Sequence, residues 1–189
     1  VGKGSQKKIR LKNKKYLDLT NDSLRTDLLE SFLISRSKLF IGPNSGAWIT
    51  ASYLYRKYTY TPNFMPIGAL YSYSKKMHCN FRRLKKNNNK IVKLSEIKKF
   101  GLLKYEHTES YKALGLKFED FSPNELKEYV DEFMLKVEKK WKVTNEEIKI
   151  KKAFIKHFLE QTKDLKINGD FRCEIGYRYL KNNSKWLLS

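Results

Sequence analysis

The sequence predicts an α/β protein with a parallel sheet flanked by helices, and three observations carry that expectation. Strand and helix patterns alternate along the first third of the chain. A short apolar run, Leu39, Phe40 and Ile41, ends in a small-residue turn that opens a helix, and a strongly signalled amphipathic helix begins at Ser122. A strand, helix, strand, helix, strand order implies right-handed crossovers and parallel pairing.

Tyr16-Leu17-Asp18-Leu19 reads as a first short strand, followed by a turn over 20–23 that offers several helix caps. Leu24, Leu28, Leu29, Phe32 and Leu33 recur at helical spacing and predict a helix packed on the sheet. Leu39–Ile41 is a continuous apolar run, the pattern of a strand buried on both faces, and Gly42 and Pro43 end it. From Ala47 the spacing of Trp48, Ala51, Tyr53, Leu54 and Tyr55 predicts a helix, with Asn44 or Ser45 as its cap. Tyr58-Thr59-Tyr60-Thr61 alternates as a strand and stops at Pro62.

Residues 63–90 mix aromatics, Gly, Pro and Lys without period and read as a long basic loop. Ile91-Val92-Lys93-Leu94 reads as a short strand, with Ser95 capping a small helix to Phe100, and Leu116–Asp120 alternates as an edge strand. Ser122-Pro123-Asn124-Glu125 combines a cap, Pro at the first helical position and Glu three residues after the cap, with Phe121 and Leu126 as the staple. Leu126, Tyr129, Val130, Phe133, Met134, Val137 and Trp141 continue its apolar face. Thr144–Glu147 repeats the capping pattern, with Val143 and Ile148 as staple, ahead of a charged helix to about Lys163. The expected organisation is one sheet domain over 1–142, with a helix and an apolar tail over 143–189 packing on it.

Composition narrows the function. With 189 residues, 40% of them hydrophobic, the chain can bury one core of ordinary size. The uncharged runs at 39–55 and 58–74 contain Pro, Gly and Asn and fall short of a membrane span. No secretory signal follows Val1, and the chain reads as a piece of a longer protein. Cys79 and Cys173 belong to no C-x-x-C pair, which points to a reducing, cytoplasmic setting; His78 beside Cys79 reads as an incidental pair in a loop, and no metal is expected. The net charge of +20 is uneven: seven basic residues at 1–15, and eleven against Glu96 alone at 75–104, supply seventeen of the twenty charges. Such segments suit a rim around a diphosphate or a face for RNA.

The turn after Ile41 carries the chemistry. Gly46 lets the backbone approach a ligand, and the free N–H groups at a helix start, at the positive end of its dipole, suit a phosphate. The crevice beyond the carboxyl ends of parallel strands is also where α/β sheets bind nucleotides. The same Asn44 and Ser45 would serve a purely structural helix as caps. No P-loop pattern, no complete G-x-G-x-x-G and no G-x-S-x-G elbow occurs, which argues against a P-loop nucleotidase, a nicotinamide enzyme or a serine hydrolase.

Taken together, these segments resemble a family of glycosyltransferases from surface-polysaccharide gene clusters. The resemblance rests on Leu24-Arg25-Thr26-Asp27 opening a helix, on Phe40-Ile41-Gly42-Pro43-Asn44-Ser45-Gly46, and on Pro62-Asn63-Phe64-Met65-Pro66-Ile67-Gly68. It continues through a basic loop, Gly115-Leu116, the Ser122 helix start and Ile175-Gly176-Tyr177-Arg178-Tyr179-Leu180. It implies the Rossmann-like, carboxyl-terminal half of a GT-B enzyme, which holds a nucleotide-sugar donor while an amino-terminal half, absent here, supplies the acceptor pocket. On that resemblance residues 1–142 form the nucleotide-sugar-binding domain, and Val1-Gly2-Lys3-Gly4 looks like the end of its first strand, with Lys3 near the cleft.

Glycosyl transfer builds charge on the departing diphosphate, and fixed donors there lower the barrier. That role falls first to the backbone N–H groups around Ser45, Gly46 and Ala47, with the Ser45 hydroxyl and the Asn44 amide as helpers. Arg25 is a candidate phosphate ligand, or pairs with Asp27 or Glu30 on its own helix. Asn63 is a candidate for the base or ribose, or a turn former after Pro62. Lys75 and Lys76, after Tyr71-Ser72-Tyr73, are candidates for closing over the diphosphate, against the plainer reading of a solvated loop. No catalytic base is assigned, since Asp18, Asp27 and Glu119 serve equally as turn, cap or surface groups, and no cofactor beyond the donor is expected. A glycan or lipid-linked acceptor and a place at the inner face of the membrane complete the expectation. Two other readings compete: an RNA- or polyanion-binding module built on 1–15 and 75–104, and an inert Rossmann-like interaction domain.

Overall fold

The computed structural model describes residues 13, 15, 16, 25–70, 74–104, 108–163 and 171–189. Lys3, the turn at 20–23 and most of the strand expected at 16–19 lie outside the described residues. Elements follow in the order α1 (Asp27–Arg36), β1 (Leu39–Ile41), α2 (Gly46–Ile49, continued as a π-helical turn over Thr50–Leu54), β2 (Tyr58–Phe64), β3 (Met77–Phe81) and β4 (Arg83–Lys86). They continue with α3 (Leu94–Lys99), α4 (Thr108–Ala113), β5 (Leu116–Glu119), α5 (Pro123–Val137), α6 (Asn145–Thr162), β6 (Glu174–Ile175) and α7 (Tyr177–Leu187).

β1, β2, β3 and β6 form one parallel sheet in that order, and β4 and β5 form a separate antiparallel ribbon. This is the parallel α/β layer that the alternation predicts. Tyr60 of β2 and His78 of β3 face Phe133 of α5, with ring centroids 5.4 and 5.0 Å away. On the other face Phe64 meets Trp48 of α2 at 5.9 Å, and Phe81 stacks on Phe158 of α6 at 5.6 Å. Each such buried aromatic contributes about 1.5–3 kcal/mol through apolar area removed from water.

Several sequence expectations are corrected. β1 is the outermost hydrogen-bonded strand among the described residues, so Ile41 is 43% exposed rather than buried on both faces. α1 starts at a Thr26 cap whose hydroxyl accepts from the Leu29 N–H at 3.0 Å. It turns Ile34 inward and leaves Leu28 and Phe32 80% and 52% exposed, so the expected stripe is not the buried one. The long basic loop expected over 63–90 contains β3 and β4, and every residue of β3 is buried. His78 and Cys79 therefore belong to an inner strand, not a loop. The strand expected at 91–94 reduces to one bridge at Ile91, and α3 is capped at Lys93, not Ser95.

Leu116–Glu119 is a strand, as its alternation predicts, but it pairs with β4 and not with the main sheet. Beyond residue 142, α6 packs its phenylalanines on β3, and β6 adds a strand to the same sheet. The Ser122 capping box is fully formed, and Glu125 also accepts two bonds from Arg83 at 2.9 and 3.1 Å. Burial alone would raise the Glu125 carboxyl, but Arg83 and Ser122 outweigh it and hold it below the usual range. Among the described residues no helix is long and apolar enough to cross a membrane.

Candidate functional site at the carboxyl edge of the sheet

The loops that leave β1 and β2 meet at the carboxyl edge. Gly42 extends the β1 ladder by donating its N–H to Tyr60 O at 3.1 Å, and the Asn44 amide then donates to Met65 O at 2.7 Å. Through that bond the turn before α2 is tied to the turn after β2. Ser45 is extended at φ −142° and ψ 175°, stands at the cap of α2, and makes no side-chain cap bond. The first N–H groups of a helix have no acceptor within it, so those of Gly46 and Ala47 remain available to a ligand. Gly46 is exposed, and a Cβ built there would meet nothing within 4 Å. The helix continues as a π-helical turn closed by Tyr55 N–H to Thr50 O at 3.0 Å, a distortion frequent near functional sites.

Asn63 sits beside this turn. The register between β2 and β3 slips between Thr61 and Phe64, and Asn63 takes φ +55°, a left-handed conformation that Asn tolerates better than most residues. Its Oδ1 is buried without a hydrogen-bond partner among the described residues. Asn44, Ser45, Gly46, Ala47 and Asn63 are thus gathered at one edge.

The remaining described candidates are Arg25, Lys75 and Lys76. Arg25, just ahead of the Thr26 cap of α1, donates Nε to Glu30 Oε1 at 2.7 Å, one of the two partners weighed for its alternative role. Lys75 and Lys76 immediately precede β3, which runs parallel to β1 and β2, so they stand at the amino edge, opposite the Gly46 turn. Thr59 N–H donates to Lys76 O and Lys76 Nζ to Arg56 O, which fixes that placement. They are not positioned to close over a ligand at Gly46.

A residue that sequence reasoning passed over stands at the carboxyl edge instead. Arg82 follows β3, donates its N–H to Phe64 O at 3.1 Å, and pairs with Asp120 at 2.8 Å. Its Nε is buried without a hydrogen-bond partner among the described residues. The only sequence signal was its position directly after a strand that was itself read as loop. Within the basic segment 75–104, Arg82, Arg83, Lys85 and Lys86 are all engaged by Asp120, Glu119, Glu125 or Glu96. Much of that charge is internally compensated, which weakens the case for a polyanion face.

A second strand-to-helix junction at this edge provides an internal comparison. β6 ends at Ile175, Gly176 caps α7, and Gly176 has no side chain to serve the first N–H groups. Glu132 of α5 fills the position: Oε1 accepts from Tyr177 N–H at 2.7 Å and Oε2 from Arg178 N–H at 2.8 Å. One helix start is therefore occupied by the protein's own carboxylate, whereas the start of α2 is open. The fold is a Rossmann-like α/β layer, with an exposed strand-to-helix turn of small residues after β1. Comparison of the chain with protein-family models, with curated proteins and with solved structures returns no match.

Proposed function

We propose that this chain is the donor-binding domain of a glycosyltransferase, the carboxyl-terminal half of a GT-B enzyme acting in surface-polysaccharide synthesis. The observation that carries the proposal is the open start of α2 beside the filled start of α7. The anion at one junction is the Glu132 carboxylate, and the equivalent place at the other is exposed and lined by small residues. In this reading the diphosphate of a nucleotide-sugar lies on the N–H groups of Gly46 and Ala47, with Ser45 Oγ as a further donor. Asn44 holds the turn to the β2 loop, and Asn63 presents its amide to the nucleoside. As the anomeric bond breaks, charge grows on the diphosphate, and these fixed dipoles stabilise it without reorganising. The acceptor and the catalytic base belong to a partner half.

The test is calorimetric titration of wild type and Gly46→Val with UDP, GDP, CMP and a short RNA at moderate salt. Because Gly46 is exposed and a Cβ there meets nothing within 4 Å, the variant is expected to keep its fold and to obstruct a ligand seated on the turn. Selective binding of one nucleotide, weakened at least about tenfold in the variant, is the expected result. RNA binding alone, equal in both proteins, would promote the polyanion module in its place.

A further inference from the structure

A second concavity opens at the opposite, amino edge of the sheet, between Tyr58 and His78 on one side and the facing ends of α5 and α6 on the other, with a volume of about 420 Å³. Four lysines line it, Lys75, Lys136, Lys139 and Lys151, against two carboxylates, Glu147 and Glu174.

The inner charges are already matched. Lys151 Nζ lies 2.8 Å from Glu147 and 2.6 Å from Glu174, and Lys136 Nζ reaches Glu132 and, at 3.5 Å, Glu147. Burial disfavours charge on both Glu147 and Lys151, yet Lys151 and Trp141 hold Glu147 below its usual range, and Glu174 with Glu147 holds Lys151 above its own, so both stay ionised. His78 is held neutral, pushed down to about 3 by burial and by Lys136 and Lys151. Lys75 and Lys139, on the rim, are exposed and enter no ion pair among the described residues. The two ammonium groups left without an ion-pair partner among the described residues thus both stand at the mouth.

Two further features mark the mouth. Lys139 takes φ +58° just beyond the end of α5, a place where glycine is the usual occupant, and the helix end closes around it through Lys139 N–H to Lys136 O at 3.0 Å. Beside it, Val143 and Ile148 are 62% and 42% exposed and form an apolar wall. A doubly charged head and a short apolar body would satisfy both halves of the cavity.

We propose that this cavity binds a small organic dianion of the phosphomonoester class, its phosphate between Lys75 and Lys139 and its apolar part against Val143 and Ile148. A phosphomonoester approaches two negative charges at neutral pH, one for each of the two rim ammonium groups. The site is independent of the donor reading, since it uses the other edge of the sheet and none of the same residues.

The experiment is fluorescence titration with phenyl phosphate and, separately, inorganic phosphate. Trp141 lines the cavity, whereas Trp48 and Trp186 are 3% exposed, so Trp141 is the accessible reporter. Lys75→Ala with Lys139→Gly removes both free ammonium groups, and glycine at 139 suits the positive φ, so the fold is retained. Lys99→Ala with Lys117→Ala removes two exposed charges that do not line the cavity. Expected are saturable binding of phenyl phosphate, weakened at least about tenfold by the first pair and less than about twofold by the second. Equal weakening by both pairs would mean diffuse attraction and overturn the site. No saturable signal would overturn it as well. Inorganic phosphate binding as tightly as phenyl phosphate would overturn the phosphomonoester assignment, because the apolar wall would then contribute nothing.

Discussion

Glu132→Ala is expected to lower the unfolding free energy by about 3–5 kcal/mol, the range for removing one partner of a buried charged cluster. Glu132 is 1% exposed, and its two oxygens satisfy the Tyr177 and Arg178 N–H groups and the Lys136 ammonium. Truncation leaves two part-buried backbone donors without an acceptor, and leaves the part-buried Lys136 with only the more distant Glu147. Glu132→Gln, which keeps a carbonyl acceptor, should lose about half as much. Lys127→Ala on the same helix breaks only the exposed pair with Asp131, and should change stability by less than about 0.5 kcal/mol. Urea midpoints with unchanged slopes measure all three. A Glu132→Ala loss below about 1 kcal/mol would show that α7 finds its cap elsewhere.

The second large effect is on acid stability. His78 is 6% exposed and its folded value lies near 3, against 6.5 for the unfolded side chain. Between those values the unfolded chain binds a proton that the folded chain refuses, so stability rises with pH and is lost as pH falls below 6.5. The groups facing His78 are Lys136 from α5, Glu147 and Lys151 from α6, Glu174 from β6, and Lys75. The carboxyls of Glu96, Glu125 and Glu147 are held below their usual range and add their own acid sensitivity only near the unfolded carboxylate value, so the window from pH 6.5 to about 5.5 isolates the imidazole. Wild type should lose about 1.4 kcal/mol per pH unit across that window, and His78→Gln should be nearly flat. Parallel slopes in the two proteins would place the acid sensitivity elsewhere.

Local signals in the sequence carried those parts of the fold whose cause is itself local. The Ser122 box, with Pro123 and Glu125, is complete within four residues, and it forms as written. The apolar run at Leu39 and the turn after it likewise lead into a helix beginning within a residue of the predicted place. β3 was illegible because Met77-His78-Cys79-Asn80-Phe81 is buried on both faces and so shows no alternation, and its polar members are satisfied from afar. Asn80 donates to Tyr60 Oη at 2.8 Å, and Cys79 Sγ lies 3.6 Å from Cys173 Sγ.

The same distance in sequence hid Glu132, a polar position within an amphipathic helix whose partners lie 45 and 46 residues away. At the candidate site, Gly46 and Asn44 could be read because a strand-to-turn-to-helix junction is a short pattern. The wrong-edge placement of Lys75 and Lys76 follows directly from the missed strand, since the direction of β3 decides which edge its preceding residues occupy.

β6 has only two residues, yet it holds the last helix of the chain in the fold. Beyond its ladder with β3, side chains from three other elements hold it: Lys151 on Glu174, Asn80 on the Gly176 N–H, and Glu132 on the two amides that follow. First-turn amides of a helix ordinarily exchange their protons with solvent early, because nothing within the helix retains them. Those of Tyr177 and Arg178 should instead be among the slower ones in α7, released only when α5 moves away. In hydrogen-exchange terms the carboxyl-terminal helix has no opening event of its own at that end. Its clock is set by α5, and the two helices should appear as one cooperative unit although some forty residues separate them.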